Sequence, residues 1–145
     1  MLEKMRALVK RKDMCVLATV SDNRPHCSLM AYVTDEECRE IYMVTDKLTK
    51  KYGNLTANPA ACLLIDTRDE DVGSARIHGK ALTVNGTFRE IEDEERKSLI
   101  QDRLLERHPH LTELTLQPDT TIFGIKIESF LLLEGPTHST FETVG

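Results

Sequence analysis

The sequence lacks tryptophan, contains few other aromatic residues, and has no apolar run long enough to span a lipid bilayer. Its first residues, Met1 to Arg6, also lack the apolar centre of a secretory signal peptide. These absences argue against a membrane protein and favour a cytoplasmic one. The sequence also has no surplus of basic residues, because it contains 24 acidic and 19 basic ones, which gives a net charge of −5. General nucleic-acid binding usually needs a basic field, so this balance argues against it.

Metal-binding spacing is also absent. The four cysteines form no C-x-x-C pair and fall mostly in strand-like runs (Cys15, Cys27, Cys38 and Cys62). In a cytoplasmic chain such cysteines are usually buried free thiols. A zinc site that combines them with His26 is the less favoured alternative, because no zinc motif supports it. The cysteine pattern therefore predicts free thiols and no metal centre.

The length and composition indicate one domain over residues 1–145. The chain is 40% hydrophobic and 30% charged, which is ordinary for a globular protein, and it is long enough to bury a core. No internal repeat or low-complexity segment divides it. On a protein with a net negative charge, a local basic site fits a small anionic ligand better than a nucleic acid.

Short apolar runs between polar turns predict a strand-rich fold with helices at 1–11, 46–58 and 92–107. Strands are predicted at 15–20, 26–33, 40–45, 60–66, 74–81 and 121–127, the last extending to residue 133. The strand at 74–81 would place Ser74, Arg76, His78 and Lys80 on one face, and would continue past Asn85-Gly86 through a bulge or a turn. Six antiparallel strands close most simply into a barrel, because closure removes exposed edges. The prediction is a mainly β fold with accessory helices, a six-stranded antiparallel barrel, and a polar tail at 135–145.

The most unusual stretch is the junction between the strand at 40–45 and the following helix. Asp46 is the candidate N-cap of that helix, and Lys47, Lys50 and Lys51 crowd its first turn. A helix N-terminus favours anions, so lysines there are unexpected unless they face a bound anion. The backbone N–H groups, the lysines, and the hydroxyls of Thr45 and Thr49 could together hold a phosphate. A solvated lysine face is the alternative.

The histidines give weaker signals. The sequence His108-Pro109-His110 follows the helix at 92–107, where a surface helix cap is favoured over a metal-binding pair. His26 lies at a turn, and a structural role is favoured there over a catalytic one.

Three segments resemble the pyridoxamine 5′-phosphate oxidase-like family of FMN-binding split barrels. The first, 17–28, contains a Leu-Ala-Thr strand, a turn and a proline. The second is the junction, with Thr45-Asp46, Thr49-Lys50-Lys51, Asn54-Leu55 and an Asn58-Pro59 ending. The third is Ile77-His78-Gly79-Lys80-Ala81, which is similar to a glycine-containing strand of that family. Together they cover residues 17 to 81.

The resemblance implies a split β-barrel and a homodimer with FMN at the subunit interface. Thr45, Thr49 and Lys51 match phosphate-binding positions, and Lys50 matches a basic position beside them. The stretch that lines the isoalloxazine ring in the family corresponds to Ser28, Leu29, Met30 and Ala31. Asn54 matches a helical asparagine for which a structural bond is favoured. Arg76 and His78 would line the far side of the pocket or form a solvated strand face.

The sequence departs from the oxidase itself. The arginine and histidine that grip the pyridoxal ring have no counterpart in 134–139, and no tryptophan is present. The resemblance therefore implies a related flavin-dependent oxidoreductase that acts on an unidentified small substrate. The alternatives are a flavin-binding or sensing protein without turnover, and a haem-binding or haem-degrading relative. For haem, the candidate axial ligands are His78, His108, His110 and His138; a deazaflavin could also replace FMN.

Overall fold

The computed structural model describes all residues from Met1 to Gly145. The helices are α1 (Leu2–Arg11), α2 (Lys50–Ala57), α3 (Glu94–Arg107) and α4 (Thr112–Thr115), and two 3-10 helices cover Gly73–His78 and Pro109–Leu111. The strands are β1 (Met14–Ser21), β2 (Arg24–Ala31), β3 (Val33–Thr34), β4 (Glu40–Asp46), β5 (Ala60–Asp66), β6 (Lys80–Glu90), β7 (Thr120–Glu134) and β8 (His138–Thr143). None of the helices combines the length and the apolar character that crossing a membrane would need.

The strands form one antiparallel sheet in the order β2-β1-β5-β6-β7-β4-β3, and β8 pairs with the second half of β7. β2 and β3 stand at opposite ends of this order, yet only Tyr32 separates them in the chain. One bent strand thus pairs with β1 before Tyr32 and with β4 after it, which closes the sheet into a barrel. The predicted mainly β barrel is confirmed. Eight strands are present rather than six, because Tyr32 divides one strand and β8 is additional.

Local backbone chemistry explains two features of the barrel. Asp22 and Asn23 both have positive φ, at 51° and 60°, and form the two-residue turn that joins β1 to β2. This turn type suits hairpins because its twist matches that of the strands. At Asn85-Gly86 the register between β6 and β7 shifts, so the predicted irregularity is a bulge. A Cβ at Gly86 would lie only 2.3 Å from the carbonyl oxygen of Lys126, so this position requires glycine.

The core has two parts. The larger cluster fills the barrel with residues such as Leu17, Leu63, Val84 and Phe123, and α1 adds Met5, Leu8 and Val9 to it. The Tyr32 hydroxyl donates to the carbonyl oxygen of Val9 at 2.6 Å and so ties α1 to the barrel bend. The smaller cluster lies outside the barrel, where Ile100 and Leu104 of α3 pack with Tyr42 and Val44 of β4. Leu99 of the same helix points away from this cluster and is exposed.

Two predictions of local structure are wrong, and one strand was not predicted. Residues 74–81 do not form a strand, because most of them belong to the 3-10 helix Gly73–His78, and β6 begins only at Lys80. The polar tail contains the strand that was not predicted, β8, which pairs with β7 from Glu134↔His138 to Ser129↔Thr143. The cysteines are not uniformly buried: Cys27 is exposed and Cys62 is half-buried. Burial raises the pKa of Cys15 to about 12 and that of Cys38 to about 11.

Candidate functional site

A groove of about 320 Å³ lies where β2, β4 and the segment after α3 meet, and we call it the ligand groove. One end is polar and is formed by the β4–α2 junction through Thr45, Asp46, Thr49 and Lys51. The remainder is largely apolar and combines residues from the start of β1, the end of β2, β4 and the 109–115 segment (Met14, Leu29, Met30, Ala31, Val44, His110, Leu111 and Leu114). The groove therefore has the make-up of a site for a molecule with one anionic end and one apolar end.

The polar end is built by the cap of α2. Thr49, not Asp46, is the N-cap, and its hydroxyl oxygen accepts from the backbone N–H of Tyr52 at 3.4 Å. Asp46 instead accepts from the N–H of Leu48 at 2.8 Å and closes the turn before the helix. Both side chains can cap backbone groups, and the three extra residues of the turn move the helix start to Lys50. The Asp46 prediction is therefore wrong, and Lys47 lies before the helix rather than in its first turn.

Two hydroxyls and one ammonium group converge at this cap. The Oγ1 atoms of Thr45 and Thr49 are 3.2 Å apart, and the ammonium of Lys51 lies 3.4 Å from Oγ1 of Thr45. Thr45 is buried, whereas Thr49 and Lys51 are half-buried. The first N–H groups of a helix have no partner within the helix, so they add further donors at the same end. Such a set of donors suits a phosphate or carboxylate.

Lys51 is a cation without a countercharge. Its ammonium forms no salt bridge with a carboxylate, and partial burial lowers its pKa below the usual value of 10.5. Removing an ammonium from water without a partner is unfavourable, so this position does not stabilise the protein by itself. A bound anion would supply the missing charge. The carboxylate of Asp46, which also lines the groove, is bound to a backbone N–H and forms no salt bridge with Lys51.

Six of the eight site residues predicted from sequence line the ligand groove: Leu29, Met30, Ala31, Thr45, Thr49 and Lys51. The other two, Ser28 and Lys50, do not line it. Ser28 is half-buried on β2 opposite Leu17, and Lys50 is exposed at the first position of α2. Asn54 is buried, and its side-chain amide donates to Oγ1 of Thr19 at 3.1 Å, which is the favoured structural bond between α2 and β1. Arg76 and His78 belong to the 3-10 helix and not to a strand face.

The segment after α3 supplies groove residues that sequence reasoning did not place there. His110, Leu111 and Leu114 form one wall. The side chain of His108 is buried, and its Nε2 lies 2.9 Å from the carbonyl oxygen of Tyr32, so the predicted surface cap is wrong for this residue. This bond joins the 109–115 segment to the strand that carries Leu29 to Ala31. The His-Pro-His sequence was the only local signal for this wall.

Most of the remaining candidate polar groups lie apart from the groove. Of the four histidines considered as axial ligands, His110 is the one that lines it. His78 belongs to the 3-10 helix, and His138 begins β8. No group of three or more histidine, cysteine, aspartate or glutamate side chains is arranged to hold a metal ion.

The family model for pyridoxamine 5′-phosphate oxidase matches residues 1–134. The chain belongs to the pyridoxamine 5′-phosphate oxidase family. This membership agrees with the barrel, with the groove at the β4–α2 junction and with the resemblance in residues 17–81. No curated protein matches the sequence.

Solved structures share the fold of this family member. A haem-binding protein from Mycobacterium smegmatis superposes with a TM-score of 0.83 at 15% identity, and 97% of this chain matches 57% of that one. An FAD-binding protein from Mesorhizobium loti gives 0.74 at 18% identity, with 91% of each chain covered. A putative pyridoxamine 5′-phosphate oxidase from Listeria innocua gives 0.70 at 23% identity, with 90% of this chain and 96% of that one covered. At these identities the likeness shows the fold alone.

Proposed function

We propose that this protein binds FMN in the ligand groove and works as a flavin-dependent oxidoreductase on a small substrate. The observation that carries the proposal is Lys51, a half-buried cation that has no carboxylate partner and faces two hydroxyls at a helix N-terminus. A phosphate held by Thr45, Thr49 and Lys51 would supply the missing negative charge. The structure therefore fits the phosphate end of FMN with the same residues that the family resemblance implies.

The apolar part of the groove fits the ring. Leu29, Met30 and Ala31 would lie along the isoalloxazine, and Met14 would contact it from β1. Leu29 is 69% exposed, so this wall opens onto the outer surface of the barrel. Ser28 and Lys50 stay in the proposal as flanking positions, because neither lines the groove of a single protomer. A second copy of the chain would cover the exposed side of the ring.

A homodimer is the expected assembly because one outer side of the barrel is apolar and uncovered. We call this surface the open face. Its exposed residues are Leu29 on β2, Leu64 on β5, Leu131 on β7 and Phe141 on β8. These positions are continuous across the sheet, because they belong to one row of paired residues. The row runs Leu29, Val16, Leu64, Thr83, Leu131 and Phe141. A continuous apolar surface of this kind marks an interaction site.

When bound, FMN supplies the redox chemistry, exchanging a hydride or an electron pair between two small reactants. The protein's own residues bind and orient. Lys51 and the two threonines fix the phosphate end, and the strand Leu29–Ala31 fixes the plane of the ring. Leu111 and Leu114 exclude water from the opposite side of the groove.

The visible spectrum of the purified protein tests this proposal. We expect FMN to remain bound through gel filtration and to give the absorption bands of an oxidised flavin, and we expect Lys51→Ala to weaken this retention. Bleaching of those bands by NADH or NADPH, followed by reoxidation in air, would support turnover. A wild-type protein that retains no flavin would contradict the proposal.

Haem is a second candidate ligand, because His110 lines the groove and could serve as an axial ligand. The haem-binding structure from Mycobacterium smegmatis has the same fold. A Soret band that appears on addition of haemin and shifts in His110→Ala would favour this candidate over FMN. A deazaflavin with the same phosphate end would use the same groove, and its distinct absorption separates it from FMN.

A further inference from the structure

A second cavity lies where the end of β5, the start of β6 and the end of β7 meet. It measures about 720 Å³ and is formed by the 66–81 segment and the β7–β8 turn. We call it the basic cleft, because Arg68, Arg76 and Lys80 line it together with the apolar side chains of Ala81, Leu133 and Pro136. The proposed function does not use this cavity.

The cations of the basic cleft are only partly neutralised. Arg68 pairs with Asp66 at 3.2 Å, and the carboxylate of Asp71 accepts from the hydroxyl of Thr67 at 3.1 Å. Arg76 and Lys80 form no salt bridge. Lys80 lies opposite Glu134 in the β6–β7 pairing, beyond salt-bridge distance. Glu134 forms its salt bridge with Lys4, and the charges of Lys4 and, more weakly, Lys80 lower the pKa of its carboxyl. Two cations without direct partners therefore face a partly apolar cleft.

Close backbone packing positions the segment that carries these cations. The N–H of Gly135 donates to the carbonyl oxygen of Gly79 at 2.8 Å, and a Cβ at Gly135 would lie 2.7 Å from the carbonyl oxygen of Ile77. The N–H of Lys80 donates to Oγ1 of Thr67 at 2.8 Å. The end of the 3-10 helix that carries Arg76 thus packs against the β7–β8 turn, and the start of β6 is bonded to Thr67. Arg76 therefore lies on a 3-10 helix that borders a cleft, and not on the solvated face of a strand.

A smaller hollow lies between the basic cleft and the ligand groove and shares lining residues with each. Met14 and Leu29 line both the groove and this hollow, which measures about 220 Å³. Asp66 and Arg68 line both that hollow and the basic cleft. In the sheet, only β5 separates β1 from β6, so Met14 and Ala81 are two strand spacings apart, roughly 10 Å. A ring that extends from the groove over Met14 would therefore end close to the basic cleft.

We propose that the basic cleft binds the anionic group of the second reactant, an organic carboxylate or phosphate whose apolar body rests on Ala81 and Leu133. This inference rests on the proposed function, because the second reactant is the molecule that meets the flavin. Arg76 and Lys80 bind its negative charge. The substrate class is thus a small organic anion rather than a neutral molecule.

Amide NMR of the full-length protein tests the inference, with phenyl phosphate as the probe and phenol as its neutral counterpart. In FMN-saturated protein, phenyl phosphate should shift the amides of Thr67, Arg76 to Ala81 and Gly135. Arg76→Ala and Lys80→Ala should each weaken this binding roughly tenfold, as expected for a lost charged hydrogen bond. The matched control is Arg24→Ala, an exposed arginine beside the β1–β2 turn, which should leave the binding unchanged.

Three results would overturn the inference: phenol binds as tightly as phenyl phosphate, the Arg76 and Lys80 variants bind with wild-type affinity, or no amide of the cleft shifts saturably.

The same titration without FMN separates the inference from the proposed function. Cleft shifts in a protein that takes up no FMN would refute the FMN proposal and leave an anion site in the cleft. FMN uptake at Thr49 and Lys51 without cleft shifts would refute only the inference. Benzoate in place of phenyl phosphate then distinguishes a carboxylate from a phosphate site.

Discussion

Two outer sides of the barrel are both apolar, but a helix covers only one of them. On the side of β4, the chain covers its own apolar surface, because α3 packs Ile100 and Leu104 against Tyr42 and Val44. On the open face, Leu64, Leu131 and Phe141 are comparably apolar, but no helix covers them. The first side needs nothing further to be stable. The second has the composition of a surface that a second copy of the chain would cover.

The ligand groove lies on the border between these two sides. Leu111 and Leu114 pack against the cluster under α3, and they form one groove wall. Leu29 forms another wall and belongs to the open face. A site on this border would have some walls formed by one protomer and the others formed by its partner. A ligand in the groove would therefore contact both the covered side and the open face.

The largest effect is expected on the covered side. Leu104 is fully buried, so Leu104→Ala should lower the free energy of unfolding by about 2–5 kcal/mol through lost burial and a residual cavity. Urea denaturation measures this loss. Leu99→Ala in the same helix is the control, because Leu99 is 61% exposed and its truncation should change stability little. Similar losses in both variants would contradict the described packing of α3.

The open face should respond through assembly rather than folding. Leu131→Glu places a charge at the centre of this face and should convert a dimer to a monomer in sedimentation velocity, with helix and strand content retained by circular dichroism. Leu116→Glu is the control, because Leu116 is 77% exposed next to α4, away from the open face. A wild-type monomer, or a dimer that persists in Leu131→Glu, would show that the face has another role.

A smaller loss is expected where α2 is attached to the barrel. Asn54→Ala removes the buried amide and leaves Thr19 without its partner, at a cost of about 1–3 kcal/mol in the free energy of unfolding. Thr56→Ala, on the exposed side of the same helix, should cost much less. If Asn54→Ala abolished FMN binding without loss of stability, Asn54 would be a ligand contact rather than a structural residue.

The smallest effect on stability, and the most informative one, is expected at Lys51. Burial lowers its folded-state pKa, so the charged side chain is unfavourable in the folded protein below that pKa. Lys51→Met should therefore leave the ligand-free protein as stable as the wild type or slightly more stable near neutral pH. As the pH rises through the lowered pKa toward 10.5, the wild type should gain stability relative to the variant. Loss of stability in Lys51→Met would indicate a structural lysine.

Sequence patterns predicted the barrel because β1, β4, β5 and β7 are short apolar runs whose burial requires a sheet. They failed at 74–81, where alternating small and charged residues imitate a strand although Gly73, with φ of 59°, begins a 3-10 helix. They also missed β8, because the strand carries few apolar residues and pairs with β7 mainly through its backbone.

For the groove, motif spacing brought together Thr45, Thr49 and Lys51, since strand, cap and helix are contiguous in sequence. It could not place His110, Leu111 and Leu114 there, because about sixty residues separate them from that junction and only the closed barrel brings them near. The cap itself shifted from Asp46 to Thr49, since both residue types can accept from a helix N-terminus. Groove residues that are neighbours in the sequence could therefore be predicted, whereas those that only the closed barrel brings to the groove could not.

Lys51 is the proposed partner of the FMN phosphate, and equilibrium titration of FMN, followed by flavin fluorescence, tests this role. We expect saturable binding to the wild type and a loss of roughly ten- to a hundred-fold in affinity for Lys51→Met, as for a charged hydrogen bond. The neighbouring Lys50→Met should change the affinity by less than about threefold, because Lys50 is exposed outside the groove. Equal affinity in wild type and Lys51→Met, or no binding to the wild type, would contradict the proposal that Lys51 binds the FMN phosphate.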